Sequence, residues 1–195
     1  MMKTGINLTK LLYFLVLLFC FSSCEKDTIR LTKYTEEWLQ TKTDTKLNFT
    51  SHTGEKEELT VTVKTGTHIR SNLSGDRKYE YYLLTYTGKQ SDLGLILAAE
   101  DKYVDIMNIG QTEFNTNFVS ITTGKTAAEE VLLTYDVEAE FINNLELNGV
   151  TYNKLLRLKF NLPPSRPDKI KEVYYAKNHG LVYFQTTDGQ YWSLD

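Results

Sequence analysis

The chain has 195 residues, with 22 Lys and Arg against 25 Asp and Glu, and only two Cys. Setting aside Met1 to Ser23, which includes Lys3 and Lys10 but no acid, leaves 172 residues and 20 basic against 25 acidic groups, a net −5. That length suits one domain, the acidic balance lacks the basic face a nucleic-acid binder needs, and Cys20 and Cys24 leave nothing downstream for a disulfide framework or a Cys-based zinc site.

Lys3 and Lys10 precede eleven uninterrupted apolar residues, Leu11 to Phe21, followed by Ser22, Ser23 and Cys24. The run is too short to span hydrocarbon, which takes about 20 apolar residues. A basic flank, a short apolar core and small residues before a cut site describe a secretion signal. Phe21-Ser22-Ser23-Cys24 resembles the lipobox of bacterial lipoproteins, with Phe21 and Ser23 as variants of the preferred residues. The resemblance implies that residues 1–23 are a lipoprotein signal peptide and that the Cys24 thiol carries acyl chains of the palmitate kind. The alternatives are an ordinary signal peptide cut near Ser23 or an uncleaved anchor, with Cys24 an incidental thiol. Acyl chains stabilise attachment by about 0.8 kcal/mol per buried CH₂, so the expected partner is the membrane, reached through Cys24 by a tether and not a span. Glu25-Lys26-Asp27 resembles the short acidic tract of lipoproteins exported to the outer face of the outer membrane, or is a solvated linker; periplasmic and cell-surface faces both stay open.

Residues 24–45 read as the lipidated Cys and a polar, Thr-rich leader, in which Thr35-Glu36-Glu37-Trp38-Leu39 suits one helical turn or an edge strand. Residues 46–195 read as the β domain. From Lys46 the dominant period is two, the mark of strands with one buried face. Leu47 and Phe49, a turn at Thr53-Gly54-Glu55-Lys56, and Leu59, Val61 and Val63 make a hairpin. Tyr79 to Thr87 is aromatic and β-rich, the apolar run Leu93 to Ala99 predicts a strand covered on both faces, and Tyr103 to Ile109 follows a short turn. Leu133, Tyr135, Val137, Ala139, Phe141, Leu145 and Leu147 share one parity against Thr134, Asp136, Glu138, Glu140, Asn144 and Glu146. Fifteen residues would span about 50 Å, so a bulge or bend is expected near Asn143-Asn144. Asn148-Gly149 predicts a tight hairpin because both residues tolerate positive φ. Pro163-Pro164-Ser165-Arg166-Pro167 marks a connection, after which Val173 to Lys177, Leu181 to Thr186 and Tyr191 to Leu194 are three short strands. The expected fold is all-β: a single antiparallel β domain of nine to eleven strands forming a curved sheet, half-barrel or sandwich, with Thr126 to Val131 the one further helical candidate.

Chemistry is sparse. Gly124-Lys125-Thr126 ends like a phosphate-binding loop, but the position where that loop needs its first glycine is Val119. His52, His68 and His179 sit near turns without paired metal-ligand spacing. Glu57-Glu58, Glu129-Glu130 and the pair Glu138 and Glu140 are frequent acids; Glu138 and Glu140 share one strand face, as glycoside hydrolysis could use, but alternating acids also serve solubility. Asp101, Asp105, Asp188 and Gly189 lack calcium-loop spacing. Tyr79, Tyr81, Tyr82, Tyr86, Tyr174, Tyr175, Tyr183, Tyr191 and Trp192 cluster in two regions, either as cross-strand packing or as a surface that stacks on sugars or peptides.

Val173-Tyr174-Tyr175-Ala176-Lys177-Asn178-His179-Gly180-Leu181-Val182-Tyr183-Phe184, with Asp188-Gly189 and Trp192-Ser193-Leu194, resembles the closing segment of small, largely uncharacterised outer-membrane lipoproteins of Gram-negative bacteria. The Asn148-Gly149-Val150-Thr151-Tyr152 hairpin belongs to the same pattern. A looser similarity extends to LolA/LolB-like periplasmic carriers, which implies a bent sheet that shelters lipid. The expectation is a lipid-anchored outer-membrane protein, not an enzyme, acting as a binding or structural module in the envelope for a glycan, peptide, lipid or another envelope protein. No cofactor is implied; a lipid carrier is the alternative, and a carbohydrate-active enzyme a weaker third.

Overall fold

The computed structural model describes residues 27–73, 75–89, 93–108, 117–124, 129–161 and 170–195. Cys24 and its lipobox, Glu25, Lys26, Lys125 to Ala128 and the proline segment lie outside them. The described chain forms β1 (Thr28–Ile29), one short helix α1 (Lys33–Glu36), β2 (Thr45–Ser51), β3 (Lys56–Asn72), β4 (Gly75–Thr87), β5 (Gly94–Glu100), β6 (Tyr103–Asn108), β7 (Asn117–Thr122), β8 (Glu130–Tyr135), β9 (Val137–Leu147), β10 (Val150–Phe160), β11 (Ile170–Ala176), β12 (Gly180–Thr186) and β13 (Tyr191–Leu194).

All thirteen strands belong to one sheet, ordered β8-β7-β6-β5-β4-β3-β2-β13-β12-β11-β10-β9, with β1 added in parallel to the free part of β4. Every other pairing is antiparallel between neighbours in the path, as short connections favour. The sheet curls into a nearly closed barrel. Its two end strands, β8 and β9, are consecutive in the chain, so the seam falls at Asp136. There the backbone takes φ 51, and the Asp136 carbonyl accepts a hydrogen bond from Asn161 N at 3.0 Å.

The concave face is the core. Leu59, Val61, Leu84, Tyr86, Leu95, Leu97, Val104, Ile106, Val119, Ile121, Leu156, Leu158, Val173, Tyr175 and Phe184 come from successive strands at alternate positions, and all are fully buried. Three expectations are modified. The described chain has thirteen strands where nine to eleven were expected. The run at 93–99 is fully covered on one face only: Leu93, Leu95, Leu97 and Ala99 are buried while Gly94, Ile96 and Ala98 are half-buried, because among the described residues no second layer covers the outside of β5. The long strand at 133–147 is divided at Asp136. Val137, Ala139 and Phe141 pack inward, but Leu133 is 58% exposed, and beyond Asn144, whose φ is 58, Leu145 and Leu147 join a separate outer cluster with Tyr152, Leu155, Ala176 and Val182. The bend lies where the Asn pair placed it. Asn148 and Gly149 take φ of 49 and 76, the two positive values of a tight hairpin turn. Of the last helical candidate, the described part, Glu130 and Val131, lies in β8.

Much of the polar leader packs into the barrel. Thr32 caps α1, its hydroxyl accepting from Thr35 N at 3.2 Å. The segment then delivers Trp38 to the interior, where it is fully buried beside Phe141 and Tyr175 at ring separations of 6.1 and 6.3 Å.

Candidate functional site

Two polar arrangements stand out, one inside the barrel and one outside. Inside, the leader is fastened to the walls by hydrogen bonds. Thr35 Oγ1 donates to the Asp101 carbonyl at 2.6 Å and lies 2.6 Å from Thr123 Oγ1. Tyr175 Oη donates to the Trp38 carbonyl at 3.0 Å and meets Tyr86 Oη at 2.9 Å. Asn178 N donates to the Glu37 carbonyl at 2.6 Å. Gly180, at φ +79, stands where a Cβ would overlap the Gln40 side chain, so both its backbone angle and the close approach require glycine.

Beside Trp38 lies the buried carboxylate of Glu129. Trp38 Nε1 donates to its Oε1 at 3.3 Å, Lys177 Nζ lies 2.8 Å from the same oxygen, and Lys154 pairs with Oε2. Burial pushes the Glu129 carboxyl up, but hydrogen bonds from Lys154 and Lys177 outweigh it and hold the group below the usual carboxylate range. Lys177 also pairs with Glu37 at 2.8 Å, so one ion network ties leader, β10 and the β11–β12 turn together. This is a structural clasp with every charged member occupied.

Outside, the residues of β3 to β8 that alternate with the core line a cleft of about 520 Å³. Register places them side by side: Tyr81 opposite Glu100, Glu100 opposite Tyr103, Ala98 opposite Asp105 and Asp105 opposite Ser120. Strands β3 and β4 run past the end of β5, and from this longer hairpin His68 and Arg70 wall the cleft. Glu100 Oε2 lies 3.0 Å from both Arg70 Nη2 and His68 Nε2, and Arg70 Nε lies 3.2 Å from that same ring nitrogen. The Tyr81 ring covers Gly66, where a Cβ would come within 2.8 Å of the phenol oxygen. Asp105, bonded to Ser120, is pushed up by burial, with the Ser120 hydrogen bond and the Arg70 charge acting against that. The cleft therefore joins aromatic walls, one ion-paired carboxylate and one half-buried carboxyl without an ion pair among the described residues.

The other candidate residues have ion-pair or packing partners. Glu138 and Glu140 are ion-paired, to Lys159 at 3.1 Å and to Arg157 at 2.7 Å, and Arg157 also binds Glu172 at 2.5 Å. His52, His68 and His179 do not converge: His52 stacks on Tyr191 at 4.4 Å, His68 walls the cleft, and His179 meets Tyr152 edge-on at 5.0 Å. No group of three metal-ligating side chains occurs among the described residues. The C-terminal tyrosines form a ladder in which Tyr174 stacks on Tyr183 at 4.6 Å and Tyr183 on Tyr191 at 6.1 Å. Tyr183 is stacked on both sides, by Tyr174 and Tyr191, so its faces are used in cross-strand packing. The outer cleft went unread in the sequence because its residues come from six strands and share only their outward parity.

The chain matches no protein-family model, no curated protein and no solved structure. Among the described residues no helix is long and apolar enough to cross a membrane.

Proposed function

We propose that the protein is an outer-membrane lipoprotein, tethered through acylated Cys24, whose barrel is a non-enzymatic binding module that meets its ligand on the outside of the sheet. The observation that carries this reading is the filled interior: Trp38 is fully buried, Leu39 nearly so, and both belong to the core formed by the strands. With its own leader in that space, the sheet offers a partner its outer surface, and the cleft between Tyr81, Tyr103, Asp105 and Arg70 has the aromatic and polar lining that takes a glycan or peptide segment.

Two experiments test it. Replacing Cys24 with Ala should abolish acyl labelling and release the protein from the membrane fraction; a variant that still fractionates with membranes counts against the anchor. Titrating the protein with glycan fragments and peptides, followed by amide NMR, should move signals around Tyr81, Tyr103 and Asp105, and shifts elsewhere would overturn the choice of cleft.

A second reading, favoured by the apolar concave face of a curved sheet, is a LolA/LolB-like carrier. It requires Trp38 to leave the interior when lipid enters. Lipid co-extracted from the purified protein, with a change in Trp38 fluorescence on delipidation, would support the carrier.

A further inference from the structure

The cleft-lining hairpin has a second feature that the binding reading does not use. Its tip carries Leu73 fully exposed and Ile69 63% exposed, two large apolar side chains that the protein leaves in water. Arg77 and Lys78 sit beside them with Asp76, Asp27 precedes the Thr28 that pairs with Lys78, and Arg70 is ion-paired to Glu100.

Strand β1 lies beside this tip. Thr28 and Ile29 pair with Lys78 and Tyr79, immediately below the tip, and the pairing is parallel. Since β4 runs away from the tip, a parallel β1 enters from the tip side. Cys24 lies four residues before Thr28, and four residues reach at most about 14 Å. From Lys78 back to Gly75, where β4 starts, is about 10 Å of strand. An acylated Cys24 lies within about 14 Å of Thr28, a reach that takes in the hairpin tip.

We propose that the β3–β4 tip is a second membrane contact, in which Leu73 and Ile69 enter the acyl boundary while Arg77 and Lys78 meet anionic headgroups. The inference rests on the lipid anchor at Cys24. Exposed apolar side chains with Arg77 and Lys78 beside them suit an anionic membrane surface, and one short tether alone would leave the barrel free to rotate about it. With the tip embedded, the outer cleft lies beside the membrane, its His68 and Arg70 wall nearest the lipid.

The test uses the full acylated protein in vesicles of phosphatidylglycerol and brominated phosphatidylcholine. Leu73→Trp places a reporter on a fully exposed turn position, against a background of Trp38 and Trp192, which are both buried. Glu55→Trp, in the β2–β3 turn at the other end of the barrel, is the control. Brominated chains should quench at least half of the emission added by L73W and leave that of E55W unchanged. Acylation is measured on the same samples by incorporation of labelled palmitate. Acylated protein with L73W unquenched overturns the tip contact and leaves the anchor standing. Protein that takes up no palmitate overturns the anchor, and the tip contact falls with it.

Discussion

Tyr175 on β11 donates its phenol hydrogen to the backbone carbonyl of Trp38 at 3.0 Å, so a strand of the C-terminal third holds in place a residue of the N-terminal leader 137 positions away. The same phenol meets Tyr86 on β4 at 2.9 Å. The leader therefore bridges opposite walls of the barrel, and removing it should unfold more than a tail.

Trp38→Ala is expected to lower stability by about 3–5 kcal/mol, the range for deleting a large buried aromatic that leaves a cavity. Trp38 loses its contacts with Phe141 and Tyr175 together with its bond to Glu129. Urea denaturation followed by circular dichroism measures the loss. A change below 1 kcal/mol would mean that the leader is not part of the cooperative unit.

Glu129 sets an acid limit. Its folded carboxyl titrates below the ordinary value, so the stability it contributes is present above the unfolded value of about 4.3 and is lost as pH falls through the folded one. Lys177 is pushed down by burial but raised overall by its hydrogen bonds to Glu129 and Glu37; its contribution is present below about 10.4 and lost as pH rises through the folded value. Glu129→Gln leaves two ammonium groups without their shared counter-charge and should cost about 2–3 kcal/mol at neutral pH, less than full burial would give because both lysines are partly exposed. The difference from wild type should shrink below pH 4, as measured by denaturation across pH.

Asp105 has the opposite sign. Burial raises its carboxyl above the ordinary range, so ionisation opposes folding once the pH exceeds the unfolded value. Asp105→Asn should therefore melt higher than wild type at pH 7 and at the same temperature near pH 3. Equal melting at both pH values would place Asp105 in a more solvated setting than the cleft gives it.

Gly180→Ala puts a side chain at φ +79 and into Gln40, and should cost at least about 1 kcal/mol with a weakened hold on the leader. Accelerated proteolysis between Leu39 and Thr45 would report that loosening.

Two fully buried phenols can be read directly. Tyr86 and Tyr175 are pushed far above the ordinary range by burial, and Tyr183 on the outer ladder is pushed up to about 12. In a spectrophotometric alkaline titration, Tyr86→Phe or Tyr175→Phe should remove a group that ionises only on unfolding.

The sequence by itself determined the strand class and the turns. Period-two alternation at Leu59-Val61-Val63 needs only that one sheet face be buried, and Asn148-Gly149 needs only that two residues accept positive φ; both are local requirements. Local too are the apolar run and Cys24, from which the expectation of a lipid anchor comes. Closure was decided by the tertiary structure, because whether β8 and β9 meet depends on accumulated twist and on Asp136, not on any single strand. The same holds for the leader, whose Thr-rich composition reads as solvated although Trp38 and Thr35 are buried by walls brought from distant strands. The cleft is the clearest case: Arg70, Glu100, Asp105 and Ser120 carry no motif, and only sheet register sets them beside one another.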